Sequence, residues 1–272
     1  MQFFKDFWFD FRKAEFNALL KLFNLSASEI YSTADGSYEH IDFDQTFLIV
    51  ELPSDEIARK LCARSLLIKA IFEVWAQEPT VGAVVERVDI IPGMEDYYRI
   101  ENTWSFQVDS LERKLSAEQK QHYRSLFTPI LKFKGPVTIV KPSIELWLVL
   151  DFENNPKTDI TLATSEVPSF VGRCLAKGGM RSEINHYDLK KRLYLGPTSL
   201  DETLALIMAN ISLVEAGTLC YDPFVGTASI LIALSHFGAI CSGGDIDPRV
   251  LRGDMYAGTV RQSCSHDSCI DN

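Results

Sequence analysis

No apolar run in these 272 residues approaches the roughly 18 that a membrane-crossing helix needs. The opening Met-Gln-Phe-Phe-Lys-Asp-Phe-Trp-Phe-Asp is aromatic but broken by Lys5, Asp6 and Asp10, so it is not expected to be an export signal. Cysteine is sparse and scattered, at positions 62, 174, 220, 241, 264 and 269. That spacing holds no disulfide framework, which points to a reducing compartment and a cytoplasmic protein. Two nucleotide signatures are also missing. No Gly-Lys-Ser/Thr follows an apolar strand, which excludes a P-loop, and the absence of Gly-x-Gly-x-x-Gly excludes the dinucleotide fingerprint.

Positive charge is scarce overall, with a net charge of −10, but its distribution is uneven. Residues 1–110 hold 10 basic and 19 acidic residues, whereas 111–142 hold 7 and 2, and 171–192 hold 6 and 2. Local basic surface matters more than the sum for phosphate binding. The two basic stretches, with Lys132, Lys134, Arg173, Arg181, Lys191 and Arg192, are therefore the candidate RNA contacts. Ordinary solvated lysines are the competing explanation.

What is present is 46% apolar residues, enough for buried cores. Phe16, Leu19, Leu20 and Phe23 recur at helical spacing. Thr46–Glu51 is expected as a short strand. Ser54 is expected to cap a helix with Asp55 and Glu56 in its first turn, running to about Trp75. Trp104, Phe106 and Val108 alternate as in a half-buried strand. Residues 116–126 are expected to be helical, and 137–140 and 144–150 to be strands. The first unit, 1–152, is thus α+β, with a linker over 153–170, where Asn154, Asn155, Pro156 and Pro168 gather. A second unit spans 171–253, and 254–272 forms a polar, disordered tail. In the second unit Ser199 and Glu202 spell a capping box. Leu200, Leu204, Ile207, Met208 and Ile211 mark the buried face of the helix that follows.

Residues 217–247 carry the most information. An apolar strand ends in Asp222, a turn holds Phe224, Gly226 and Thr227, a helix runs from Ala228 to Phe237, and a second strand ends in Asp245. This β-α-β order places a ligand at the carboxyl ends of parallel strands. Asp222 suits an ammonium group, Gly226 lets a ligand approach the backbone, Asp245 or Asp247 suits a ribose diol, and Ile246 suits an adenine. The combination points to S-adenosylmethionine, the alternative being a plain strand-turn-helix. Cys220 and Cys241 fall within these strands as small core residues. His40, His122, His186 and His236 are isolated and suit surface or cap positions. Cys264-Ser-His266-Asp267-Ser-Cys269 has zinc-capable types but no standard site spacing, so no metal site is assigned.

The run Lys191-Arg-Leu-Tyr-Leu-Gly-Pro-Thr198-Ser199-Leu-Asp201, with Leu206-Ile-Met-Ala-Asn210 and Asp222-Pro-Phe-Val-Gly-Thr, resembles the catalytic subunit of eukaryotic tRNA (guanine-10-N2)-methyltransferases. Phe47-Leu-Ile-Val-Glu-Leu-Pro-Ser54, Arg64-Ser-Leu-Leu-Ile-Lys69 and Val171-Gly-Arg173 agree with it. The resemblance implies a ferredoxin-like portion and a THUMP tRNA-binding domain before a Rossmann-like methyltransferase domain. It also implies S-adenosylmethionine as cofactor, tRNA as substrate and a small zinc-binding activator subunit as partner. Thr198, Ser199 and Asp201 would lie near the cofactor's methionine end. Two departures stand out. Ala228 replaces the last glycine of the family's Gly-Thr-Gly, and the catalytic Asp-Pro-Pro-Tyr does not occur. A flipped base needs an enclosing pocket, so these residues are expected to be a truncated form, inactive alone. No catalytic residue is assigned. The alternatives are a non-catalytic tRNA-binding or regulatory fragment and, third, an amino-methylase of DNA or protein.

Overall fold

The structure is a computed structural model. It describes residues 1–4, 8–30, 42–91, 94–111, 113–152, 166–184, 187 and 199–248. The expected tail, and with it the Cys264–Cys269 cluster, lies outside the described residues, as do His40 and His186.

The first half begins with β1 (Gln2–Phe3), α1 (Arg12–Leu22), the short α2 (Ala27–Ile30) and α3 (Asp55–Arg64). β2 (Ile68–Thr80) runs straight into α4 (Val81–Asp89), and β3 (Trp104–Leu111), α5 (Ala117–Phe127), β4 (Ile144–Asp151), β5 (Glu166–Lys177) and the short α6 (Met180–Glu183) follow. The helix starts follow their caps. Ser54 accepts the Ile57 amide at 3.3 Å, Thr80 accepts that of Ala83 at 3.2 Å, and Ser116 with Gln119 forms a reciprocal capping box. The strands form one five-stranded sheet in the order β1-β2-β5-β4-β3, in which only β3 and β4 pair in parallel.

Two cores result. Val81, Val84 and Val88 of α4 and Tyr123 and Phe127 of α5 bury against Leu148, Leu150 and Val171 of the sheet. The other core joins Phe3, Phe16, Leu19, Leu61 and Leu67 to Ala205, Leu206, Ala209 and Leu234 from the second half. That second half consists of α7 (Glu202–Ile211), β6 (Leu219–Asp222), α8 (Ser229–His236) and β7 (Ile240–Gly243). β6 and β7 pair in parallel, Leu219 opposite Ile240 and Asp222 opposite Gly243. The expected β-α-β unit is therefore present.

Several expectations need correction. The helix from Ser54 stops at Arg64, and residues to Trp75 continue as strand β2. The cause is Glu15, whose carboxylate comes from α1 and is 1% exposed. Its Oε1 accepts the Leu66 amide at 2.9 Å and the Asn210 Nδ2 at 2.8 Å, and its Oε2 accepts the Ser65 hydroxyl at 2.6 Å and the Leu67 amide at 3.1 Å. Those amides would otherwise continue the helix ladder, and β-branched and aromatic residues from Ile68 onward favour the sheet. Residues 46–51 and 137–140 supply only single bridges, Gln2 to Phe47 and Trp104 to Val137. The expected linker and second-unit start at 166–177 are a central strand of the first unit's sheet, so a boundary at 152 falls too early. The turn-rich run 153–165 lies outside the described residues, between two neighbouring strands. The buried face of α7 is Ala205, Leu206, Ile207, Ala209 and Asn210, so Ile207 is buried as expected while Met208 and Ile211 lie at the surface. Small alanines let α7 approach α1 closely.

Replacing Glu15 by alanine leaves the Ser65 hydroxyl, the Leu66 amide and one Asn210 Nδ2 hydrogen unpaired, while the Leu67 amide keeps the Ser65 oxygen at 3.1 Å. With about 1–3 kcal/mol for each donor left unpaired, the Glu15→Ala chain is expected to lose at least about 3 kcal/mol in urea unfolding. A loss under about 1 kcal/mol contradicts the role assigned to this carboxylate.

Candidate functional site

The carboxyl ends of β6 and β7 meet at a turn whose shape is set by its own carboxylates. Asp222 Oδ1 accepts the Phe224 amide at 2.9 Å, and the Asp222 carbonyl accepts the Gly244 amide at 2.9 Å. Val225 donates its amide to the Gly244 carbonyl at 2.9 Å, which ties the turn to the far end of β7. Asp245 holds the turn from the other strand. Its Oδ2 accepts the Gly226 amide and its Oδ1 the Asp247 amide, both at 2.9 Å. These amide donors, Asp247 first and then Gly226, hold the Asp245 carboxyl below the usual carboxylate range. Asp245 is therefore the brace of the turn.

Gly226 has φ +47°, and a Cβ placed there meets nothing nearer than the Phe224 carbonyl oxygen at 3.8 Å. Glycine is needed there for its backbone angle, and the space above it is open. Phe224 and Ile246 are 83% and 99% exposed, so apolar surface flanks that opening on both strand ends. Ser199 comes to the same place: its hydroxyl lies 3.0 Å from that of Thr227, which is 3.4 Å from that of Ser229 at the start of α8. Two carboxylates, hydroxyls, open backbone and apolar flanks fit a nucleoside carrying a cationic group.

The structure thus brings together Asp222, Phe224, Gly226, Thr227, Asp245, Ile246, Asp247 and Ser199. Thr198 lies outside the described residues. Asp201 has a local task that the sequence assigned to Ser199. It caps α7 by accepting the Leu204 amide at 3.0 Å. Ala228 sits in the left-handed region at φ +59°, ψ +23°, where a Cβ is disfavoured. The strain at this position is conformational, in the turn itself.

The candidate RNA residues are dispersed. Lys132 and Lys134 are exposed, Lys132 standing 3.8 Å from Asp89. They belong to the basic stretch beside a cleft of about 470 Å³ lined by Trp104, Phe106, Arg124, Leu131, Val137 and Ile139. Arg173 is held inward instead, by Glu73 at 2.8 Å and Asp55 at 2.9 Å. Arg181 stacks 4.1 Å from the Phe4 ring centroid. Lys191 and Arg192 lie outside the described residues. Sequence reasoning missed the polar set formed by buried Glu15 and Asn210 with half-buried Arg64. Its one local signal is an asparagine on the apolar side of α7.

A five-stranded mixed sheet followed by a parallel β-α-β unit makes this a mixed α/β chain. The chain belongs to the family described as Tmrp11 THUMP N-terminal domain, which matches residues 1–179. That range ends just past β5, in keeping with the sheet. The tRNA (guanine(10)-N(2))-methyltransferase of Saccharomyces cerevisiae is 32% identical over 247 residues, 90% of this chain and 54% of that protein. TRMT11 of Homo sapiens, of the same description, is 31% identical over 249 residues, 90% of this chain and 50% of that protein. The chain thus spans about half the length of the curated relatives it matches. A looser overlap exists with the crystal structure of TrmN from Thermus thermophilus, at 16% identity and TM-score 0.36 over 68% of this chain and 52% of that one. Among the described residues no helix is long and apolar enough to cross a membrane.

Relieving the left-handed alanine gives a direct check on the turn. The αL cost is about 1–2 kcal/mol and the added chain entropy of glycine offsets about 0.4–1 kcal/mol of it. Ala228→Gly is therefore expected to raise unfolding stability by up to about 1 kcal/mol. A destabilised Ala228→Gly chain contradicts this backbone geometry.

Proposed function

We propose that this chain holds the tRNA-binding half and the donor-binding turn of an S-adenosylmethionine-dependent tRNA methyltransferase that modifies the N2 amine of guanosine 10. The observation that carries the reading is the family match over residues 1–179, continued at about 30% identity through the Asp222–Asp245 turn. When bound, S-adenosylmethionine supplies an electrophilic methyl group on a sulfonium. Asp222 faces its ammonium, Gly226 lets it lie against the backbone, and Asp245 or Asp247 accepts from the ribose hydroxyls. Phe224 and Ile246 flank the adenine, and Ser199 and Thr227 place hydroxyls at the methionine end. Lys132 and Lys134 contact tRNA phosphates, which fix register without reading bases. A small zinc-binding activator subunit is the proposed protein partner and the cytoplasm the proposed location. Within these 272 residues no Asp-Pro-Pro-Tyr occurs, so this stretch binds donor and tRNA, and transfer requires that signature in addition.

Calorimetric titration with S-adenosylmethionine tests the donor half. Asp222→Asn keeps an oxygen to cap Phe224 but removes the charge, and is expected to weaken binding about tenfold or more. Unchanged affinity, or no saturable binding by the parent chain, overturns the assignment. For the RNA half, gel-shift affinities of tRNA are measured across salt concentrations. Lys132→Ala and Lys134→Ala are each expected to lower the slope of log affinity against log salt by about one. An unaltered slope in both variants removes them from the interface.

A further inference from the structure

Asn210 is fully buried on α7 and has a partner on each side of its amide. Its Nδ2 donates to Glu15 Oε1 at 2.8 Å and to the Arg64 carbonyl at 3.1 Å, and its Oδ1 accepts Arg64 Nε at 3.0 Å. Arg64 also donates through Nη2 to the Val214 carbonyl, and its guanidinium carbon lies 4.0 Å from the Phe237 ring centroid. Glu15 and Arg64 come from the first half of the chain, while Asn210, Val214 and Phe237 come from the second. The surrounding contacts are between apolar side chains, which are non-directional and allow one helix to slide or turn over another. An amide and a guanidinium fork bond in one orientation only. This polar set therefore fixes the angle of α7, and with it the β6–β7 turn, against the first half.

That angle has a consequence if the proposed function holds. The basic stretch packs on the core built by α4 and α5 through Ile130 and Leu131, and the β6–α8–β7 unit that carries the donor turn packs on the other core through Cys220, Leu231, Leu234 and Cys241. We infer that Asn210, acting through Glu15 and Arg64, is a positioning residue that sets the reach from the tRNA-gripping surface to the Gly226 turn and so selects which nucleotide meets the methyl donor. The inference rests on the tRNA-methyltransferase reading. Misplacement of reacting groups by about 1 Å is enough to cost about a hundredfold in rate, so a fixed angle is the simplest way to select one nucleotide.

Two variants of the full chain test it. Asn210→Leu keeps volume and removes all three amide bonds; Arg64→Lys keeps the charge and removes the fork. Calorimetry is expected to show one unfolding transition for the parent and two for each variant, with the later one near the parent midpoint. Hydroxyl-radical footprinting of bound tRNA is expected to show two protected segments at fixed separation with the parent. In the variants the first segment persists, the second fades or spreads over neighbouring nucleotides, and affinity falls about tenfold to a hundredfold as the two contacts become independent. A sharp, unmoved second segment in a variant overturns the inference and leaves Asn210 a merely structural residue. Should Asn210→Leu fail to fold, Arg64→Lys carries the same readouts. If the parent binds no tRNA, the proposed function fails, and the unfolding arm alone decides: a single transition in a folded variant overturns the coupling.

Discussion

A single buried carboxylate organises this chain. Glu15 leaves α1, enters the interior, and gathers the Ser65 hydroxyl, the Leu66 and Leu67 amides and the Asn210 amide within 3.1 Å. Burial pushes its carboxyl above the usual range, and the four donors pull the other way. Buried carboxylates persist when their acceptor capacity is filled, and removing one partner leaves an expensive remainder. Here the partners come from two distant places in the sequence, 65–67 and 210. Filling that carboxylate ends α3, starts β2 and docks α7 in one arrangement.

The effect reaches the site through geometry. With α3 stopped at Arg64, residues 68–80 are released to pair with β5, and β5 sits between β2 and β4 at the centre of the sheet. With α7 docked, Ala205 and Ala209 lie close to the first half, and α8 packs behind β6 and β7. The Asp222–Gly226–Asp245 turn is then carried on a framework continuous with the first half. The turn's internal ties, from Asp245 to Gly226 and from Val225 to Gly244, hold its backbone in one arrangement.

The legible and illegible parts of the sequence divide by range. The turn was legible because its chemistry is local: an acidic strand end, a glycine with positive φ and a second acidic strand end within 24 positions. The cap at Ser54 was legible for the same reason. The end of α3 was not, because Leu66–Trp75 has an apolar pattern compatible with either helix or strand, and the deciding group lies some fifty residues upstream. The boundary near 152 misled because turn-rich residues between two strands of one sheet have the same composition as a linker between units. Ser199 and Asp201 both suit a cap; the helix begins after Asp201, which frees Ser199 to meet Thr227. Arg173 looked available in a basic stretch, yet strand pairing brings it between Glu73 and Asp55. The strain at Ala228 could be flagged only as a missing glycine, since its left-handed angle is a property of the backbone.

Native-state hydrogen exchange followed amide by amide tests the central claim most directly, because groups that open together share one opening free energy. The amides of Leu66 and Leu67 and those of the middle of α7 are expected to exchange at the same slow rate as α1, and to accelerate together in Glu15→Gln. If α7 opens well before α1 in the parent chain, or if Glu15→Gln leaves α7 protection intact, the two halves are not joined by this carboxylate.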